Sequence, residues 1–201
     1  MILPDFLQNI DEQFFILINR IWANKFFDLI MPPVRDRKFW IILYIVIALI
    51  ILWKFKLKGL IIIALLALNF GISDQLSSSV IKPAAGRIRP CNNENFKQQV
   101  ILRIEDCGVG KSFTSSHATN TFAFAVLLGL LFRKRLKYLF PVVIFWAALV
   151  SYAQIYVGVH YPLDIICGAL VGTIISLIIY NLAKKFLFPK FIPELINSKK
   201  Q

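Results

Sequence analysis

Charged residues are scarce in this 201-residue chain: they make up 17% of it, against roughly 25% in soluble domains. Hydrophobic residues make up 58%, and this balance excludes both a soluble globular domain and a disordered chain. Acidic residues are the scarcest charges, with 11 Asp and Glu against 23 Lys and Arg. In so apolar a chain, the excess positive charge indicates anionic lipid, phosphate ligands and cytoplasmic loops. A nucleic-acid partner is not predicted, because the cations border apolar segments instead of forming one stripe.

Cysteine and histidine are scarce too, with three and two copies. Three cysteines do not make a disulfide scaffold, but Cys91 and Cys107 fall in one predicted loop. They are either free thiols or a disulfide, and an oxidising compartment favours the disulfide. A bond would close a loop of about 17 residues, worth ~3 kcal/mol in the chain-entropy model. No metal-ligand cluster is present, so neither a metal nor another cofactor is predicted.

Long apolar runs predict an all-α integral membrane protein, since a spanning helix needs about 20 mostly apolar residues. The candidate segments are residues 39–53, 59–82, 117–132, 138–159 and 160–183. We expect a bundle of five to six transmembrane helices within a membrane-embedded core at 38–185. A basic cytoplasmic tail is expected at 186–201.

Residues 1–37 have a different pattern. Apolar residues recur there at helical spacing, while Gln13, Arg20 and Asn24 fall on the other face. This pattern predicts an amphipathic segment in the membrane interface, with a short sixth span as the alternative. Acidic residues such as Asp11 stand where a signal peptide carries basic ones, so no cleavable signal is predicted.

Lysine and arginine also predict the orientation of the helices. The connections at 54–58 and 133–137 and the tail are basic, and five alternating spans would place them all on one side. The positive-inside rule assigns that side to the cytoplasm. The loop at 82–116 and the turn at His160 would then face the extracytoplasmic side.

This outer loop opens with three cations, Lys82, Arg87 and Arg89, interleaved with Pro and Gly. Arginine matches phosphate oxygens with a planar fork, and lysine acts as a point charge. The segment is therefore a candidate anion-binding loop. The alternative is a basic patch that touches lipid headgroups.

Both histidines fall beside this loop. His117 follows a run of hydroxyl residues that suits a helix N-terminus, where free N–H groups favour an anion. His160 and Asp164 are four residues apart and close in space if Pro162 begins a helix. A carboxylate on one ring nitrogen leaves the other free as nucleophile or base. The alternative is that these residues only cap helices and that the histidines are incidental. An enzyme is favoured, because both histidines and the basic loop fall on the same predicted side of the membrane.

These residues resemble the type 2 phosphatidic acid phosphatase superfamily of integral membrane lipid phosphatases. That family carries Lys-x6-Arg-Pro, Pro-Ser-Gly-His and Ser-Arg-x5-His-x3-Asp. The matching residues here are Lys82, Arg89 and Pro90, then Thr114-Ser115-Ser116-His117, then Ala153-Gln154 with His160 and Asp164. The resemblance covers most of the chain, because the apolar segments fall where the family's core helices would be.

The resemblance implies a metal-independent hydrolase with a phosphohistidine intermediate. His160 would attack phosphorus, Asp164 would orient it, and His117 would protonate the leaving oxygen. The phosphoryl oxygens would be held by the residues Lys82, Arg89, Ser115, Ser116 and Gln154. Such chemistry needs positioning and positive charge, and no cofactor.

Gln154 departs from the family, which has arginine at this position. The loss of one charge-stabilising donor can cost on the order of 10²–10³ in rate. Three explanations are open: Arg87, Arg103 or Lys111 substitutes, the chain is a low-activity member, or the residue is an engineered change that traps a ligand.

The implied substrate is a phosphorylated membrane lipid, with a polyprenyl pyrophosphate carrier and the 1-phosphate of lipid A as leading candidates. Phosphatidylglycerol phosphate and phosphatidic acid follow. The alternatives are a lipid-to-lipid phosphotransferase and a non-catalytic lipid-phosphate binder or transporter, the latter suggested by Gln154. Asp74, within the second apolar segment, is expected to pair with a loop cation or with a serine of residues 77–79.

Overall fold

The computed structural model describes residues 4–191, and every regular element within that range is helical. The α-helices are α1 Asp5–Ile16, α2 Lys25–Arg35, α3 Ile41–Phe55, α4 Leu57–Gln75, α5 Lys82–Ala85, α6 Ser116–Phe132, α7 Leu139–Tyr156, α8 Pro162–Phe186 and α9 Phe188–Phe191. A π-helical stretch, Leu76–Ile81, joins α4 to α5. The predicted tail at 186–201 lies outside the described residues from residue 192 onward.

Four helical stretches are long and apolar enough to cross a membrane. They are Arg37–Phe55, Leu57–Asn92, Leu139–Tyr156 and Pro162–Phe186. The helix α6 is apolar but shorter, with 17 residues. The prediction of an all-α integral membrane protein is confirmed, and the expected five to six transmembrane helices compare with these four stretches and the shorter apolar helix α6.

Capping residues explain where two of the helical stretches begin. Asp36 has an extended backbone, and its carboxylate accepts a hydrogen bond from the Lys38 N–H, which starts the 3-10 turn before α3. Pro162 occupies the first position of α8, where its missing N–H costs nothing. His160 therefore lies outside the helix, in the turn that leads into it.

The helix α6 is the centre of the bundle and packs against α4, α7 and α8. Its contact with α8 is close because Gly168 has no side chain: a Cβ there would lie 2.8 Å from the Ser115 carbonyl oxygen. The Ser115 N–H donates to the Asp164 carbonyl at 3.1 Å. This packing brings the first turn of α8 beside the N-terminus of α6, so the second and third motifs meet.

The N-terminal segment consists of α1 and α2, joined by a π-helical turn at Leu17–Ile21. With 12 and 11 residues, neither helix has the length of a membrane span. Helix α1 packs on α8, and α2 packs on α7. Phe15 is buried between Phe96 and Tyr161. The segment is thus part of the packed structure, with one face fixed to the bundle.

Candidate active site

A cavity of about 640 Å³ contains the predicted catalytic histidines at one end. Its polar end is lined by Arg37, Lys82, Arg89, Ser116, His117 and His160. The rest is an apolar groove bounded by α3, α4 and α6, with Ile47, Ile51, Ile63, Leu66 and Phe124 among its residues. A ligand that fits this shape has an anionic group joined to a long apolar tail.

His160 and Asp164 face each other in the buried turn before α8. The Nδ1 atom of His160 lies 3.5 Å from a carboxylate oxygen of Asp164. With Nδ1 turned toward the carboxylate, Nε2 is the ring nitrogen left for chemistry in the cavity. This arrangement suits a histidine nucleophile whose ring is oriented by a carboxylate.

Further donors hold the Asp164 carboxylate, which is fully buried. It accepts hydrogen bonds from the Ser112 hydroxyl, from the Tyr161 N–H at 2.9 Å and from the Arg87 guanidinium at 2.7 Å. A buried charge is stable only when it is paired and hydrogen-bonded. Asp164 therefore stays ionised and fixed in orientation.

Arg87 links this carboxylate to the N-terminal helix. One of its nitrogens lies 2.7 Å from Asp164, and another lies 2.5 Å from Asp11 of α1. The second carboxylate oxygen of Asp11 accepts from the Leu163 N–H at 2.8 Å. Both ends of the guanidinium are thus occupied by carboxylates, so Arg87 is a positioning group and not the replacement clamp that its sequence position permitted.

Burial lowers the pKa of His160 to about 4, because the loss of solvation outweighs the raising effect of Asp164. At neutral pH the imidazole is therefore uncharged and retains the lone pair that a nucleophile needs. Protonation would remove that lone pair only well below neutral pH.

Lys82 and Arg89 lie at the cavity, folded over the same stretch of loop. The Lys82 ammonium donates to the carbonyl of Lys111 at 2.8 Å. Arg89 donates to the carbonyls of Cys107 and Gly110 at 2.8 and 3.0 Å. These neutral acceptors fix the two side chains without cancelling their charge, which is what a phosphate site requires.

The second motif reaches the cavity through His117 and Ser116. The Ser116 hydroxyl is also 2.9 Å from that of Ser77. Ser115 lies outside the cavity lining: its hydroxyl accepts from the Ala118 N–H at 3.4 Å and caps α6. The Ser115 side chain thus begins the helix that carries His117, and its expected contact with phosphate stays a prediction.

Gln154 is likewise outside the lining and is fully buried. Its amide donates to the carbonyl of Arg35 at 3.3 Å, and the expected phosphate contact stays a prediction. Arg103 is held by Asp28 at 2.5 Å, and Lys111 is exposed. Of the three candidate substitutes, two, Arg87 and Arg103, are therefore already paired with carboxylates.

Asp74 lines the groove below the histidines. Its carboxylate accepts a hydrogen bond from the Asn120 amide at 2.7 Å. Of the expected partners, a serine is present, since the Ser78 hydroxyl donates to the backbone carbonyl of Asp74 at 2.7 Å, whereas the carboxylate itself is bonded by Asn120. Asn120, which donates to the Asp74 carboxylate, is one helical turn from His117 on α6.

Cys91 and Cys107 form a disulfide with a Cα–Cα distance of 6.0 Å. Arg89 donates a hydrogen bond to the Cys107 carbonyl. The disulfide therefore holds one of the hydrogen-bond acceptors of Arg89 in place. We expect the Cys91→Ser/Cys107→Ser double variant to lose roughly tenfold in kcat/KM and ~3 kcal/mol of stability. Phosphate release and thermal unfolding in detergent measure the two effects. Cys167→Ala, which removes the free thiol, is the control; equal behaviour of both variants would contradict the prediction.

Sequence reasoning missed the contacts of Ser112 with Asp164 and of Asp11 with Arg87, and the position of Arg37 at the cavity. Ser112 stands in the hydroxyl run beside His117, and that proximity was its only signal. Asp11 is separated from Asp164 by most of the chain. In the sequence, this acidic residue indicated only that the N-terminus is not a signal peptide. No local pattern connects these residues to the motifs.

The chain is similar to known proteins in both sequence and fold. The family model described as the PAP2 superfamily matches residues 58–188. A lipid A 4'-phosphatase of Bacteroides thetaiotaomicron is 34% identical over 90% of this chain and 80% of its own length. An undecaprenyl-diphosphatase of Sulfolobus acidocaldarius is 37% identical over 55% of this chain and 50% of its own. The crystal structure of a transmembrane phosphatidylglycerolphosphate phosphatase from Bacillus subtilis superposes with a TM-score of 0.72 at 19% identity, covering 91% of this chain and 89% of that one.

Proposed function

The chain belongs to the PAP2 superfamily and is a membrane lipid phosphatase, and we propose that it removes a phosphate from the headgroup of lipid A through a phosphohistidine. The observation that carries this proposal is the apposition of His160 and Asp164 at the cationic end of an apolar groove. Lys82 and Arg89 supply the charge there, and His117 is the second histidine that lines the cavity.

The first chemical step transfers the phosphoryl group to the enzyme. His160 Nε2 attacks phosphorus while the bond from phosphorus to the leaving oxygen breaks. That oxygen takes a proton from the His117 ring, whose protonated form is favoured by the bound phosphate dianion, and departs as the lipid hydroxyl. Lys82 and Arg89 stabilise the charge on the equatorial oxygens, and Asp164 stabilises the positive charge that develops on the attached imidazole.

The second step returns the enzyme to its starting state. His117, now neutral, accepts a proton from a water molecule that attacks phosphorus from the side opposite His160. The P–N bond breaks, inorganic phosphate leaves, and His160 is neutral again. The proposed steps thus balance with the side chains of this chain, the lipid and one water molecule.

The groove supports a lipid substrate, and the relatives favour lipid A among lipids. Apolar side chains of α3, α4 and α6 line most of the cavity, which suits acyl chains. The lipid A 4'-phosphatase aligns with nearly the whole chain, whereas the undecaprenyl-diphosphatase aligns with about half. The 4'-phosphate is therefore preferred to the 1-phosphate and to a polyprenyl pyrophosphate.

The basic connections support a periplasmic site in a bacterial inner membrane. Lys54, Lys56 and Lys58 lie at one end of the bundle, together with the 133–137 turn. The cavity's cationic end lies at the other end, beside the loop that contains the disulfide. Positive connections favour the cytoplasm, and a disulfide favours an oxidising compartment.

A substrate panel tests the proposal. The full chain in detergent is incubated with lipid A, undecaprenyl pyrophosphate, phosphatidylglycerol phosphate and phosphatidic acid, with and without a chelator. We expect phosphate release from lipid A at least tenfold faster than from the others, unaffected by the chelator, with mass spectrometry showing loss at the 4'-position. His160→Ala prepared in parallel reports contaminating phosphatase. Transfer of phosphate to an added lipid instead of water, or binding without release, would contradict the proposal.

A further inference from the structure

The position of the missing third-motif arginine is filled by an uncharged residue that contacts the N-terminal segment. Gln154 is fully buried, and its amide donates to the backbone carbonyl of Arg35 at 3.3 Å. Its side-chain oxygen has no hydrogen-bond partner among residues 4–191. The last turn of α2 thus lies against the place from which the family's arginine would extend.

Arg35 ends α2 at that contact. Its Nε atom is buried and has no hydrogen-bond partner within the described part of the chain. No ion pair with a carboxylate engages its guanidinium there either, in contrast to Arg87 and Arg103. Arg35 is partly buried, and the neighbouring Asp36 interacts with its charge electrostatically without contacting it in an ion pair. The remaining cost of burying the cation would be offset by an anionic ligand.

The charge of Arg35 acts on the phosphate end of the cavity. It interacts electrostatically with Arg89 and with His117. Arg37, two residues later, lines the cavity directly and also acts on His117. The turn that carries both arginines therefore lies beside the first and second motifs.

The local structure holds this turn in place. The Trp40 indole N–H donates to the Val34 carbonyl at 2.8 Å, and its ring packs edge-on against Trp146 of α7. Val34 and Met31 of α2 are buried against α7. Arg35 is consequently presented from a fixed helix end, as a phosphate ligand should be.

We propose that Arg35 contacts the phosphoryl oxygens of the substrate and replaces the arginine that the third motif lacks at Gln154. The replacement comes from a different helix but delivers the same planar fork to the same end of the cavity. The inference rests on the proposed phosphatase function, and it explains how the chain can retain activity with a neutral residue at 154.

A charge-swap series tests the assignment. The variants are Arg35→Gln, Gln154→Arg and the two together, with Arg20→Gln as the matched control, because Arg20 is an exposed arginine of the same segment. We expect Arg35→Gln to lower kcat/KM on the order of 10²-fold. The combined variant should recover at least tenfold of that loss, because it restores one guanidinium at the family position. Arg20→Gln should stay within twofold of the parent chain.

Binding of inorganic phosphate to the same variants is measured in parallel, since it requires no turnover. Weaker binding by Arg35→Gln and recovery in the combined variant support the proposal even if no lipid on the panel is hydrolysed. Unchanged kinetics and unchanged phosphate binding in Arg35→Gln overturn it. So does a combined variant that folds, as judged by gel filtration and melting temperature, but stays as impaired as Arg35→Gln. A larger loss in Arg37→Gln than in Arg35→Gln would overturn the choice between the two arginines.

Discussion

Replacement of His160 by alanine is expected to lower phosphate release by at least about 10³-fold, since the substitution removes the nucleophile itself. The residue is buried, its Nδ1 atom faces Asp164, and its pKa of about 4 keeps it neutral. No other group at the cavity combines these properties. His117 lacks a carboxylate partner among the hydrogen bonds and ion pairs of residues 4–191, so it is not oriented to take over.

Rapid-quench trapping with radiolabelled lipid phosphate measures this directly. The parent chain should carry an acid-labile, alkali-stable phosphoryl group, as a P–N bond requires, and His160→Ala should carry none. Cys167→Ala, a change in the second turn of α8, serves as the control for handling and folding. Retention of the label in His160→Ala would show that another residue is the nucleophile, and the proposed role of His160 would then be wrong.

Asp164→Asn is expected to produce the second-largest loss, on the order of 10³-fold in kcat with little change in KM. The amide keeps the volume of the carboxylate but lacks its charge and presents N–H groups where oxygens accept. It can no longer orient the His160 ring or stabilise the positive charge that develops during attack. The Arg87 guanidinium would also lose one of its two carboxylate partners.

Steady-state kinetics and phosphoenzyme trapping in one preparation separate these effects. A slower rise of the phosphoenzyme with unaltered substrate affinity would identify Asp164 as a positioning residue. Asp5→Asn, an exposed carboxylate of α1, controls for the loss of one acidic charge. An increase in KM without a decrease in kcat would mean that Asp164 acts on binding, against the geometry described above.

The sequence was informative where function depends on residues that are close together along the chain. Apolar runs predicted the spanning segments, because burial in lipid imposes a composition over about 20 residues. The spacing of His160 and Asp164 predicted their contact, since a helical start fixes that distance. Lys82 and Arg89 were recognisable as a pair because a short loop can place both charges at one site.

Asp11 and Arg35 could not be predicted in this way. Helix packing brings Asp11 to Arg87 and the end of α2 at Arg35 to Gln154, and the Asp11–Arg87 pair joins residues that are 76 positions apart. An isolated acidic or basic residue in an amphipathic segment has the same local pattern whether it faces water or a buried partner. Only the packing of α1 on α8 and of α2 on α7 distinguishes the two cases.

The wall formed by α3 has a consequence for kinetics. This helix contacts mainly α4, and much of its outer surface is exposed, including Ile42, Ile45 and Leu49. A lipid whose tails stay in the bilayer meets the groove by lateral diffusion, so its effective concentration is a surface density and not a bulk molarity. Rates should therefore scale with the mole fraction of substrate in the micelle or vesicle, and any added amphiphile dilutes the substrate even when it never enters the cavity.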